Sequence, residues 1–313
     1  MDPITHALVG LGIGGFSGIP FSLTNPVYLG ASLGAMAPDL DILYQLKGDI
    51  TYLKHHRGFS HSLPGIFLLS VGISIFIYLI NPSLHFSAIL LWTFLGTLSH
   101  GVLDILNSYG SKIFWPFSNK MWTVNLINAV DPIVLIILVT MTFFQKAGYS
   151  SVFGLAAFGG YLLIRYIVAT RVNKLLQRKY PEVEKITVMP SLIKFWCWDC
   201  LVETNQQIIF TEFNSFTSKL VVKRELPKEQ TTNLLIKKAL DSKIGKMFRE
   251  FTPHLYVLSK EGSKGYLVKF FDLRFYLKHD FLHSATVLFN QRQEMLEQVF
   301  HPYNKKRNIK ITG

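Results

Sequence analysis

SLPGIFLLSVGISIFIYLI, residues Ser62 to Ile80, contains no charged side chain. Coiled as an α-helix, a stretch of this length rises about 28 Å, close to the ~30 Å hydrocarbon thickness of a bilayer. It therefore reads as a membrane span. Apolar segments also occur at roughly 6–24, 26–46, 84–107, 126–144 and 150–168, and the span itself extends over 62–82. Residues 1–170 are thus expected to form an α-helical integral membrane domain of about six transmembrane or re-entrant helices. The first two segments are rich in glycine (Gly10, Gly12, Gly14, Gly15 and Gly18, then Gly30 and Gly34). Small residues let helices approach closely in lipid, and a shallow or re-entrant pair is the alternative there.

Charge divides the chain. Residues 1–170 hold 7 Lys and Arg against 6 Asp, and residues 171–313 hold 25 against 14 acids. A basic segment after a membrane domain reads first as cytoplasmic topology and attraction to anionic lipid, and only then as nucleic-acid binding. With six spans and a cytoplasmic C-terminus, Lys47, Lys54, Arg57, Lys112 and Lys120 all lie inside and only Lys146 outside. Both termini are then expected on the cytoplasmic side of a bacterial inner membrane, with membrane lipids as partners.

Beyond residue 171 the pattern changes to short β-branched and aromatic runs, with KEGSKG (Lys260–Gly265) as a hairpin turn. The 22-residue stretch QTTNLLIKKALDSKIGKMFREF has helical spacing. Residues 171–313 are expected to be a small, mainly β (α+β) cytoplasmic domain with one or two helices. Cys197 and Cys200 imply no disulfide framework and read as strand or core thiols. FWCWDC is either a core strand or an aromatic surface at the headgroups, and His279 and His283 read as solvated.

In the apolar half, the ionisable residues gather at one expected membrane face. They are His6, Asp39, Asp41, His55, His56, Arg57, His61, His100, Asp104 and Asp131, and polar residues inside a membrane are costly enough to be functional by default. His100 and Asp104 are four residues apart and share a helix face. Asp39 and Asp41 cannot share one on a regular helix, so Pro38 is expected to break it and turn the carboxylates inward. His55 or His56 with His61 could close a loop around an ion, and Asp131 is either a ligand or a helix cap. Mixed imidazole and carboxylate donors suit zinc, manganese or iron, a setting for hydrolysis. Arg57 could hold a phosphate or developing negative charge.

Taken in order, MDPITHALVG, GAMAPDLDIL, HHRGFSHSL, LSHGVLDILNSYGSKIFWPFS and the later VDP resemble the YdjM-type, LexA-regulated, membrane-bound metal-dependent hydrolases of bacteria. The resemblance covers about the first 135 residues and implies an inner-membrane metal-dependent hydrolase. The order His, Asp, His, His-x-x-x-Asp is more distantly similar to zinc-dependent phospholipases C and single-strand nucleases. That likeness implies a phosphoester substrate, which a membrane enzyme could draw laterally from the lipid. No His…His-x-x-x-Glu set follows Asp104, so one or two divalent ions are expected, zinc first. On this reading His6, Asp39, His61, His100 and Asp104 hold metal, Arg57 steadies negative charge, and Asp41 or His56 moves protons. The alternative is a non-catalytic, metal-stabilised scaffold or regulator whose basic domain recruits a partner.

Overall fold

Asp2 starts the first helix, its side chain accepting the Thr5 backbone N–H at 3.0 Å, with Pro3 in the first turn. In this computed structural model, residues 2–48, 51, 57–143, 149–228, 233–262, 265–277, 280–302 and 308–310 are described. They fall into two units, Met1–Thr170 and Arg171–Gly313.

The first unit begins with α1 (Pro3–Gly14) and α2 (Pro26–Met36), the latter capped by Asn25. At 12 and 11 residues each rises less than about 20 Å, short of the ~30 Å hydrocarbon core. The segments expected over 6–24 and 26–46 are therefore not continuous spanning helices. α1 runs into a 3-10 turn that stops at Gly18, whose φ of +72° is left-handed, and α2 gives way at Met36 to a 3-10 run over Ala37–Lys47. That is the break expected at Pro38. Among the described residues, three helices are long and apolar enough to cross a membrane: α3 (Leu63–Ile80), α4 (Phe86–Leu106) and α6 (Tyr149–Lys179). Between the last two lies the shorter apolar α5 (Pro132–Phe143).

α2 packs on both α1 and α4 at one backbone oxygen. A Cβ on Gly10 would lie 2.4 Å from Ala31 O, and one on Gly96 would lie 2.1 Å from it. Only glycine permits either approach. α4 buries a polar stripe, Thr93, Thr97, His100 and Asp104, at helical spacing. From α3, the Ser70 hydroxyl donates to Thr97 Oγ1 at 3.1 Å.

The second unit opens with an antiparallel meander: β1 (Val183–Pro190), β2 (Cys197–Thr204), β3 (Gln207–Asn214) and β4 (Lys219–Pro227). Two short helices follow, α7 (Leu234–Asp241) and α8 (Lys243–Phe251). Then come β5 (Leu255–Gly262), β6 (Gly265–Asp272), β7 (Tyr276–Leu277), β8 (Asp280–Phe281), β9 (Ser284–Phe289), β10 (Met295–His301) and β11 (Ile309–Lys310). The larger sheet has the order β11-β10-β9-β6-β5, and β7 pairs with β8. β5 and β6 pair as far as Gly262 and Gly265, flanking the expected hairpin turn, whose two central residues lie outside the described set.

FWCWDC proves to be core: Trp198, Cys197 and Cys200 of β2 are fully buried. Three positions apart, the two cysteines face opposite sides of the strand, and burial pushes the Cys200 thiol up, keeping it unreactive. His283 is not solvated, as its neighbours in sequence suggested. It is buried between the Phe251 and Phe275 rings, and burial lowers its pKa to about 4. Nearby, Arg274 donates to Asp272 from Nη2 at 2.8 Å. His279 lies outside the described residues.

Asp199 of β2 stands directly across from Glu212 of β3, and it is buried. Burial, then the Glu212 charge, push its pKa up to about 7 from an ordinary 3.8. A group whose folded pKa is raised favours folding while protonated, so its contribution declines as pH rises from about 4 through 7. Asp199→Asn should therefore stabilise the second unit at pH 8 by on the order of 4 kcal/mol and make little difference near pH 4. Thermal melts of both proteins across that range test this; a difference that does not vary with pH would count against a buried, protonated Asp199.

Candidate metal centre

Four segments bring ionisable side chains together. α1 supplies His6, the 3-10 run after α2 supplies Asp39 and Asp41, and the turn entering α3 supplies Arg57 and His61. α4 supplies His100 and Asp104. His6, His61, His100 and Asp104 are completely buried. Asp39 is the accessible member, its side chain 23% exposed.

His100 is fixed from behind. Its Nδ1 lies 2.7 Å from Ala35 O at the end of α2; a carbonyl only accepts, so Nδ1 carries the proton and Nε2 presents its lone pair inward. His61 Nε2 faces that lone pair at 3.0 Å. On the other side of the His61 ring, Nδ1 is 3.0 Å from Ser60 Oγ and 3.6 Å from Asp41 Oδ2. Two imidazole nitrogens this close need a proton or a cation beside them. The His6 ring stacks on His100 with centroids 3.8 Å apart, and neither of its buried nitrogens makes a hydrogen bond. Unpaired polar atoms at such depth carry a desolvation penalty, which ligation would relieve.

The carboxylates converge on the same point. Asp39 Oδ1 is 3.6 Å from His61 Nε2 and 3.5 Å from His100 Nε2. Asp104 Oδ2 is 3.5 Å from His61 Nε2 and 3.7 Å from His100 Nε2, while Oδ1 is 3.9 Å from His6 Nε2. The donor atoms of His6, Asp39 and His100 lie within 4.8 Å of one another, as do those of His61, His100 and Asp104. Asp39 and Asp41 thus address opposite nitrogens of one ring, an arrangement the 3-10 geometry allows and an α-helix would not.

Arg57 adopts a left-handed backbone conformation, φ +62°, uncommon for a residue with a side chain. Its N–H donates to Asp41 Oδ2 at 3.0 Å. Its guanidinium donates to Gly110 O at 2.8 Å, lies 3.5 Å from Asp104 Oδ2 and covers the Tyr109 ring. The geometry makes Asp41 a support for Arg57 and His61. Asp131 is not gathered into the cluster: it caps α5, accepting the Ile133 and Val134 N–H groups at 3.1 and 3.3 Å, and takes the Tyr161 hydroxyl. His55 and His56 lie outside the described residues.

Sequence reasoning missed Asn107. Its Nδ2 donates to Asp104 Oδ1 at 3.1 Å, while its Oδ1 accepts the Tyr109 and Gly110 N–H groups at 2.7 and 3.3 Å. One amide thus orients a carboxylate and shapes the turn that presents Gly110 O to Arg57. The available signal was its place three residues after Asp104, at the helix end. Asn107→Ala should weaken metal affinity about 10- to 100-fold, the usual effect of losing an outer partner of a ligand. Competition against a fluorescent chelator measures this; unchanged affinity would deny Asn107 that role.

Comparison with known proteins agrees with the membrane character of the first unit. Residues 1–172 match the model of the YdjM inner membrane protein family, and residues 234–311 match the YfhP C-terminal alpha/beta plait domain. The chain is 33% identical over 215 residues to the uncharacterized protein YfhP of Bacillus subtilis (strain 168); the alignment covers 65% of this chain and 65% of that protein, just under two thirds of the relative's length. No solved structure matches. None of these findings supports the likeness to phospholipase C, which rests on the order of His and Asp residues alone. With its membrane helices and its His/Asp cluster inside the matched region, the chain belongs to the YdjM inner membrane protein family.

Proposed function

We propose that this protein is a membrane-bound hydrolase using one divalent metal ion, with its site at the cytoplasmic membrane face and a phosphoester as substrate. The donors fit such an ion: three imidazoles and two carboxylates converge, and both His6 nitrogens are buried without hydrogen bonds. Mixed donors of this kind favour zinc, with manganese or iron as alternatives. One ion is expected because His100 belongs to both donor groups, its Nδ1 is committed to Ala35 O, and its single remaining lone pair serves one metal. A bound divalent ion would supply Lewis acidity and make water acidic near neutral pH.

The protein's own residues prepare the site. Ala35 O and Ser60 with Asp41 orient the two central imidazoles, and Asn107 and Arg57 hold Asp104. Asp39 is the one donor among the described residues whose side chain reaches solvent, 23% exposed. Arg57 is the observation that favours hydrolysis over a purely structural ion. Paired with Asp104 and donating to Gly110 O, it fixes a guanidinium beside the centre, where it could also meet an anionic substrate. The cation-rich loops favour the cytoplasmic face.

Metal analysis of the detergent-purified protein, with turnover of a soluble phosphodiester by the same samples, tests the reading. One ion per chain and metal-dependent turnover are expected. Arg57→Ala should lower turnover by about 100-fold or more while leaving most of the metal. Stoichiometric metal with no phosphoester turnover would replace the hydrolase with the scaffold reading, and no uptake of zinc, manganese or iron would end both.

A further inference from the structure

Beside the metal centre, α1, α4, α5 and α6 enclose a cavity of about 260 Å³. Val9, Ile13, Leu98, Val102, Leu138 and Phe158 make much of its wall. Ser99 is its one polar lining residue among those described, and its hydroxyl donates within α4 to Gly96 O at 2.6 Å. The wall offers nothing to a polar ligand. At the rim, Val102 of α4 and Leu155 of α6 are 49% and 56% exposed. Both lie on helices long enough to span a bilayer, so the cavity is expected to open toward lipid. Its size falls below the roughly 300–1,000 Å³ of pockets for whole drug-sized ligands, and suits a segment of one chain.

Its placement links it to the chemistry. Val9 in its wall lies one turn beyond His6 on α1, and the His6 ring stacks on His100. Leu95 carries the wall about 14 Å further along α4 from Asp104. We propose that this cavity holds one acyl chain of a membrane lipid, and that the phosphoester in that lipid's headgroup is the substrate of the metal centre. The second half rests on the hydrolase reading; the first does not. Moving an acyl chain from bilayer to cavity gains no hydrophobic free energy, because lipid is equally apolar. Packing against the wall holds the chain, and the headgroup at the metal centre provides selection.

The test uses a non-cleavable phosphonate analogue of a phospholipid with a diazirine in its acyl chain, in nanodiscs carrying the full-length, zinc-loaded wild-type protein. Photolabelling should concentrate on Leu98, Val102 and Leu155 and exceed that of Leu68, an exposed residue of α3. Ser99→Phe, which fills the cavity, should reduce it several-fold, as should the rim variant Val102→Trp if the first does not fold. Labelling of Leu98 no stronger than that of Leu68, or unaffected by a folded cavity variant, overturns the acyl site. The same variants should also slow turnover of a cleavable long-chain phospholipid while sparing a soluble phosphodiester. Equal slowing of both, or turnover of the soluble ester alone by wild type, overturns the lipid as substrate. If neither ester turns over, the hydrolase reading and with it the substrate assignment fail, and the labelling alone decides the acyl site.

Discussion

His100→Ala is expected to abolish metal binding, lowering affinity by well over the roughly 100-fold that loss of an outer partner can cost. His100 Nε2 takes part in both groups of converging donors, whereas His6 and His61 each take part in one. Its orientation is set by Ala35 O, a contact no other imidazole here can inherit. An ion bound only to the folded protein adds stability with its concentration, about 4 kcal/mol at a thousandfold excess over Kd. A chelator should therefore lower the melting temperature of the wild type and leave that of His100→Ala unchanged. His6→Ala should lie between them, retaining weakened binding. Elemental analysis and melts with and without chelator read both effects. A His100→Ala protein that keeps a full complement of metal would move the centre elsewhere.

Gly96→Ala should be nearly as damaging, although residue 96 supplies no side chain to the candidate centre. The added methyl would lie 2.1 Å from Ala31 O and under 3 Å from two further Ala31 backbone atoms. Backbone cannot rotate aside as a side chain does, so α2 and α4 must separate. Overpacking of this kind costs about 1–3 kcal/mol and sometimes more. Separation would also draw Ala35 O from His100 and Asp39 from the cluster, since both are carried at the end of α2 or just beyond it. The expected result is a lower melting temperature together with weaker metal binding. Gly72→Ala and Gly159→Ala meet nothing within 4 Å and, lying within helices, should leave stability unchanged or raise it by up to about 1 kcal/mol. If Gly96→Ala matched these controls in both measurements, the close helix contact would not be what aligns the centre.

The amino-acid sequence by itself determined the membrane character of the first unit and the β-rich character of the second. Uncharged runs such as Ser62–Ile80 and the β-branched runs after residue 171 carry those preferences locally. It also determined the pairing of His100 with Asp104, because helical spacing alone puts residues four apart on one face. The break at Pro38 was legible for the same reason. Tertiary structure decided the rest. The first two apolar segments form short helices, since Gly18 stops the first and the second gives way to a 3-10 run at Pro38, while close packing at Ala31 holds them together. His61 lies between Asp39 and Asp41, and Asp131 serves as a cap. Asn107 and Ala35 O become supports of the site. His283 is buried against the Phe251 and Phe275 rings. Each of these depends on distances between segments far apart in the chain, and neither hydropathy nor local spacing contains such distances.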